Sequence, residues 1–130
     1  MSVKSALNQY KSVGLNSLVA SANPHKLVNL LFNGLQDKLR DAKLAIQAEN
    51  IALKGSKIGE AISIIEYLRV SLDPGVDLEF AERLAGLYSY FEETLLQANL
   101  ECNVDKIDEV AALVQEIKEG WEGIPEEYRT

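Results

Sequence analysis

Three prolines and eight glycines are all that punctuate the 130 residues of this chain. The long stretches between them carry apolar residues at steps of three and four, the period of one face of an α-helix. Pro24 follows Asn23, a residue suited to an N-cap, and proline fits the first helical position because its missing N–H would lack a partner there anyway. Leu27, Leu30, Leu31, Gly34, Leu35, Lys38, Ala42, Ala45 and Ile46 then keep the spacing. They predict a helix from Pro24 to about Asn50, roughly seven turns.

Lys54-Gly55-Ser56 reads as the next break, with Ser56 as the cap of a second helix through Ile58, Ala61, Ile62, Ile65, Leu68 and Leu72. Asp73-Pro74-Gly75 is a turn signal, since proline presets φ and glycine accepts positive φ. Asp77 caps a third helix carrying Phe80, Ala81, Leu84, Leu87, Tyr88, Phe91, Leu95 and Ala98, and residues 99–103 read as its fraying end. Ile107, Val110, Ala111, Val114, Ile117 and Trp121 form a fourth, weakened by Gly120 and Gly123 and stopped by Pro125. No sustained alternation or hairpin dipeptide marks a strand. Long helices with short connections favour antiparallel neighbours. The expected fold is therefore all-α: an up-down-up-down four-helix bundle over residues 23–123. A short, partly helical N-terminal arm (1–22) precedes it and a tail (124–130) follows.

Charge and cysteine content narrow the function. Thirteen basic against twenty acidic residues leave a net charge of −7. That balance argues against nucleic acid and against anionic lipid, both of which need clustered Lys and Arg. Cys102 is the one cysteine, so no internal disulfide can form and a reducing compartment is expected. The first residues lack an apolar signal segment, and no stretch approaches a membrane span. One soluble, cytoplasmic domain is the expectation.

Catalytic and cofactor chemistry find little support. His25, the single histidine, sits at the second helical position, where an exposed first-turn residue is the simplest interpretation. A triad would have to use it, and nothing in the spacing supplies its partners. Di-iron bundles need two Glu-x-x-His motifs, and zinc needs several Cys or His. A phosphotransfer bundle would place its histidine mid-helix, and Gly55-Ser56-Lys57 is only a fragment of a phosphate loop. Glu92-Glu93 and Glu126-Glu127 read as solvated carboxylates. No metal, cofactor or enzymatic role is expected.

What remains is an apolar surplus. A bundle helix needs about three apolar positions per heptad. Val28, Phe32 and Leu39 exceed that on the first helix, and Ile64, Tyr67 and Val70 exceed it on the second. Either the arm and neighbouring helices cover them, or the protein self-associates, or a groove accepts apolar helices from another chain.

Certain residues resemble a known family in order as well as type. Gln9-Tyr10-Lys11 precedes Asn23-Pro24-His25-Lys26-Leu27-Val28-x-x-Leu31-Phe32-x-Gly34. Lys57-Ile58-x-x-Ala61-Ile62-x-Ile64-Ile65, Leu87-Tyr88-x-Tyr90, Ala98-Asn99 and a terminal Trp121 follow. The pattern resembles the flagellar secretion chaperone FliS family over about Leu7 to Trp121. It departs from that family at Asn23, where serine is usual, at Phe32-Asn33 for Tyr-Asp, and at Val76-Asp77 for Gly-Gly.

The resemblance implies a cytoplasmic chaperone that binds the disordered C-terminal segment of flagellin. It would prevent premature polymerisation and present the subunit for export, with export-gate components as a further candidate partner. Leu7 and Tyr10 would belong to an arm that covers the groove. Phe32, Ile58, Ile62, Ile65, Leu84, Leu87, Tyr88 and Phe91 would supply groove floor and bundle core together, two jobs the sequence does not separate. Ala42, Ala61, Ala81 and Ala98 would let helices approach closely. A monomer or weak dimer is expected, and a homodimer with no exported client is the alternative.

Overall fold

Asn50, Asp77 and Asn103 start three of the helices by lending a side-chain oxygen to a backbone N–H three residues on. The distances are 3.1 Å to Leu53, 3.0 Å to Phe80 and 3.4 Å to Lys106. Each satisfies one donor that a helix start leaves without a partner. The computed structural model describes residues 24–72, 75 and 77–123. Within them run α1 (Pro24–Gln47), α2 (Ile51–Val70), α3 (Leu78–Glu101) and α4 (Val104–Glu122). No strand occurs among the described residues. The expected arm (1–22), its residues Leu7 and Tyr10, the Asn23 cap, Asp73-Pro74 and Pro125 lie outside them.

The first connection corrects the expected one. The break falls at Ala48–Asn50, and Lys54-Gly55-Ser56 lies inside α2. Glu49 adopts φ 58°. Its N–H reaches the Ile46 carbonyl at 3.0 Å, and the Asn50 N–H reaches Ala45 at 2.9 Å. This paired closure of a helix end normally uses glycine at the left-handed position. Asn50 then caps α2 at once, so Gly55 need only be tolerated within the helix, at a cost of about 1 kcal/mol relative to alanine. Asn50→Ala should lower stability by about 1 kcal/mol, read as a shifted urea midpoint with an unchanged slope.

A left-handed residue also ends α3, with the Cys102 and Asn103 N–H groups both on the Ala98 carbonyl. Cys102 sits at φ 52°, ψ 44°, and the Asn103 N–H reaches the Ala98 carbonyl at 3.1 Å. Residues 99–101, expected to fray, are the last turn of α3. Asp77 caps α3 as the sequence implies.

Cross-helix contacts fix an antiparallel ring. Lys38 of α1 meets Glu60 of α2 at 2.9 Å, and Arg69 of α2 meets Ser89 of α3 at 2.8 Å. Gln97 of α3 accepts from Lys106 of α4 at 2.6 Å, and Lys43 of α1 bonds Asp108 of α4 at 3.0 Å. Each helix packs on both neighbours in the ring. The arc that α1 and α2 bury is therefore wider than one stripe. Phe32, Leu39 and Ile64, expected as surplus, are core residues, while Val28 and Tyr67 are half-buried and Val70 is exposed. Ala42, Ala61, Ala81 and Ala98 are all buried between helices, where a methyl side chain permits close approach.

Candidate functional site

The seams of the ring are not alike. Along α1–α4 a polar ladder runs the length of the helices. Gln36 Nε2 donates to the Ala111 carbonyl at 3.3 Å and to Gln115 Oε1 at 3.2 Å, below which lies the Lys43–Asp108 pair. At the top, the His25 and Trp121 rings stack with centroids 4.7 Å apart and planes 12° off parallel. Trp121 Nε1 donates to the His25 carbonyl and His25 Nε2 lies against the Trp121 carbonyl, both at 3.0 Å. A carbonyl only accepts, so this contact places the ring proton on Nε2. His25 is thus a half-buried clasp rather than the exposed residue expected, and Trp121 finds the indole partner it requires.

Between α2 and α3, Arg69 binds Ser89, the Ala85 carbonyl and Glu92. The hydrogen bond to Glu92 raises the guanidinium above its ordinary value, and the charges of Glu92 and Glu66 add to it against a lowering by burial. Glu92, expected as solvated surface, is therefore a cross-helix partner. Near the Cys102 connection, buried Lys54 donates to the Asn99 carbonyl at 2.7 Å and lies 3.3 Å from Cys102 Sγ. An open cleft of about 510 Å³ lies beside it. Its ammonium is held by a backbone carbonyl, which makes it a staple between α2 and α3 rather than a nucleophile.

On α1–α2, burial works to raise the Glu60 carboxyl. The Lys38 hydrogen bond, the charges of Lys38 and Lys57, and the Ser56 hydroxyl outweigh it and hold the group below 4.5. A carboxyl lowered on folding stabilises fully above its unfolded value and loses that contribution as pH falls through the folded one. Glu60→Gln should therefore melt at a less pH-dependent temperature below about pH 4.5 than the parent, measured by thermal scans across the acid range.

The α3–α4 seam differs in its upper half. Its polar contacts, Tyr90 with Glu109 and Gln97 with Lys106, lie toward the Cys102 connection. Their antiparallel register sets Leu87 level with Leu113, Leu84 with Ile117, and Phe80 with Trp121. Leu84, Leu87, Leu113 and Ile117 pack on the core yet stay half-buried, and Phe80 is 55% exposed. Gly86 and Gly120 flank the strip, and an added Cβ at either would meet nothing within 4 Å. Among the described residues the result is a partly exposed apolar strip, a shallow trough, along the two helices.

The structure divides the sequence-derived residues. Phe32, Ile58, Ile65, Tyr88 and Phe91 are buried core, and burial alone pushes the Tyr88 phenol well up. Leu84 and Leu87 line the trough. Ile62 is half-buried but on the Arg69 face of α2, away from them. Phe80, Leu113 and Ile117 belong to the trough as well, beyond the residues the sequence marks as a site. Phe80 is legible as the start of the Phe80–Leu84–Leu87 stripe, whereas Leu113 lies off the regular pattern of α4. Among the described residues no group of three or more His, Cys, Asp or Glu could hold a metal, and no helix is long and apolar enough to cross a membrane.

Comparisons with known proteins converge. A family model described as Flagellar protein FliS matches residues 6–128. The flagellar secretion chaperone FliSB of Pseudomonas aeruginosa is 42% identical over 119 residues, covering 92% of this chain and 94% of its own. The flagellar secretion chaperone FliS of Vibrio cholerae is 36% identical over 128 residues, covering 97% and 93%. That of Escherichia coli is 42% identical over 113 residues, covering 86% and 83%. A crystal structure described as a flagellar chaperone from bacteria superposes with a TM-score of 0.73 at 18% identity, over 92% of this chain and 94% of that one. At that identity it speaks for the four-helix fold.

Proposed function

The chain belongs to the Flagellar protein FliS family of secretion chaperones, and from that membership we propose that its client is the disordered C-terminal segment of flagellin. The protein is a chaperone in flagellar export and not an enzyme. It holds the client in the cytoplasm, keeps it from polymerising early and delivers it to the export apparatus, where gate components are the second partner.

The observation that carries this reading is the trough of Phe80, Leu84, Leu87, Leu113 and Ile117. These side chains face the core by their helical spacing but are left partly open to water. An amphipathic client helix laid along α3 and α4 would bury them. A disordered client loses part of its interaction energy to ordering, so binding is specific and still reversible. Ile62 supplies a second contact on the Arg69 face, and Leu7 and Tyr10 compete with the client from the N-terminal arm. Phe32, Ile58, Ile65, Tyr88 and Phe91 support the surface from beneath.

Calorimetric titration with a peptide of the host flagellin's C-terminal region tests it. Saturable one-to-one binding with a negative heat-capacity change is expected, the mark of apolar burial. A homodimer joined through the same trough is the competing occupant. Light scattering separates them, since a tight dimer that the peptide does not dissociate would overturn the client reading.

A further inference from the structure

The charge of this molecule is distributed as unevenly as its apolar surface. Helices α3 and α4 carry 11 acidic residues against 3 basic ones, a balance of −8, whereas α1 and α2 carry 7 basic against 4 acidic, a balance of +3. The trough therefore opens on the acidic side of the bundle. Its α4 wall is one helical stripe, Glu109, Leu113, Glu116 and Gly120, at steps of four, three and four. Its α3 wall carries the Glu79–Arg83 pair, closed on itself at 2.8 Å, so that basic residue is already matched. The negative charge of Glu109 acts on the surface beside it. The hydrogen bond it accepts raises the Tyr90 phenol above its ordinary value.

An apolar floor fixes where a helix lies but not which helix. Carboxylates beside that floor add selection by sign. They attract Lys and Arg on the edges of an incoming helix, and they disfavour acidic edges by like-charge repulsion across a low-dielectric contact. The arrangement also speeds encounter at low salt, because the field of a whole face reaches about one Debye length, roughly 10 Å at 0.1 M.

We infer that the α3–α4 trough selects an amphipathic helix whose apolar stripe is edged by Lys or Arg, the basic edge lying against Glu109 and Glu116 of α4. This rests on the client-binding reading of the same trough and adds to it the chemistry of the segment that occupies it. The +3 face of α1 and α2 takes no part in that selection.

The test uses the full chain and two synthetic helical peptides of about 18 residues, five turns. They share one leucine-isoleucine stripe and differ only in carrying Lys or Glu along both edges. Titration at low salt should show the Lys-edged peptide binding at least about tenfold tighter, the gap narrowing as salt rises to about 0.5 M. Glu116→Lys should narrow the same gap at low salt, and Leu87→Asp should abolish binding of both peptides. Equal affinities, a preference indifferent to salt, or binding that survives Leu87→Asp would each overturn the inference. The host flagellin peptide, titrated in parallel, separates the two ideas. Its failure to bind while the Lys-edged peptide binds overturns the client assignment and leaves the charge selection standing.

Discussion

Leu87→Asp is expected to weaken binding of the flagellin C-terminal peptide by at least about a hundredfold, which corresponds to about 2.8 kcal/mol. Leu87 lies level with Leu113 across the trough and is half-buried in the free protein. Covering the rest of a half-buried leucine contributes about 1 kcal/mol. Replacing it with a carboxylate forfeits that gain and requires the client to desolvate a charge with no partner, which costs more. The free bundle loses less, because the aspartate can turn toward water. It loses the half of the leucine already packed on the core, about 1 kcal/mol, and a helix propensity difference of about 0.6 kcal/mol. Far-ultraviolet circular dichroism should be unchanged and the melting temperature lower by about 5–10 °C. Retained affinity in a folded variant would remove α3–α4 as the client surface.

Phe91→Ala should do the reverse. Phe91 is fully buried, tilted against the Tyr88 ring with centroids 6.2 Å apart. Truncating a core phenylalanine costs about 3–5 kcal/mol through lost burial and the cavity left behind. Against a total stability of about 5–15 kcal/mol for a domain, that is a large fraction. The melting temperature should fall by about 10–20 °C, and at low temperature the folded fraction should bind client with the parent's affinity. A loss of affinity at full helicity would instead place Phe91 in contact with the client. Together these variants separate the two jobs, groove and core, that one apolar spacing assigns to the same residues.

The helices themselves were legible because their apolar residues recur at three and four over long stretches, and Asp77 was legible because an aspartate ahead of such a run is a usual cap. The first connection was not. Glycine is the usual sign of a left-handed helix end, and here Glu49 and Cys102 occupy those positions while Gly55 sits inside α2. The hydrogen bonds around Asn50 and Asn103, not composition, end one helix and begin the next.

His25 is not legible as a clasp for a related reason. Its partner Trp121 lies 96 residues away, and no local pattern announces such a meeting. The trough was only half legible. Leu84 and Phe91 fall on one stripe of α3 and look alike in sequence, yet one is half-buried and the other closed. The difference arises from how far neighbouring helices extend at each level, a property of the assembled ring.

The two short connections and the distant clasp also imply an order of assembly. Glu49-Asn50 and Cys102-Asn103 each join neighbouring helices over a few residues, so α1–α2 and α3–α4 can pair as local hairpins at little cost in chain entropy. The His25–Trp121 stack spans almost the whole chain, and nothing holds its two halves near each other until both hairpins have docked. The α1–α4 seam is therefore expected to close last. In the folded protein, the clasp completes the Gln36 and Lys43 contacts that turn a pair of hairpins into a closed ring.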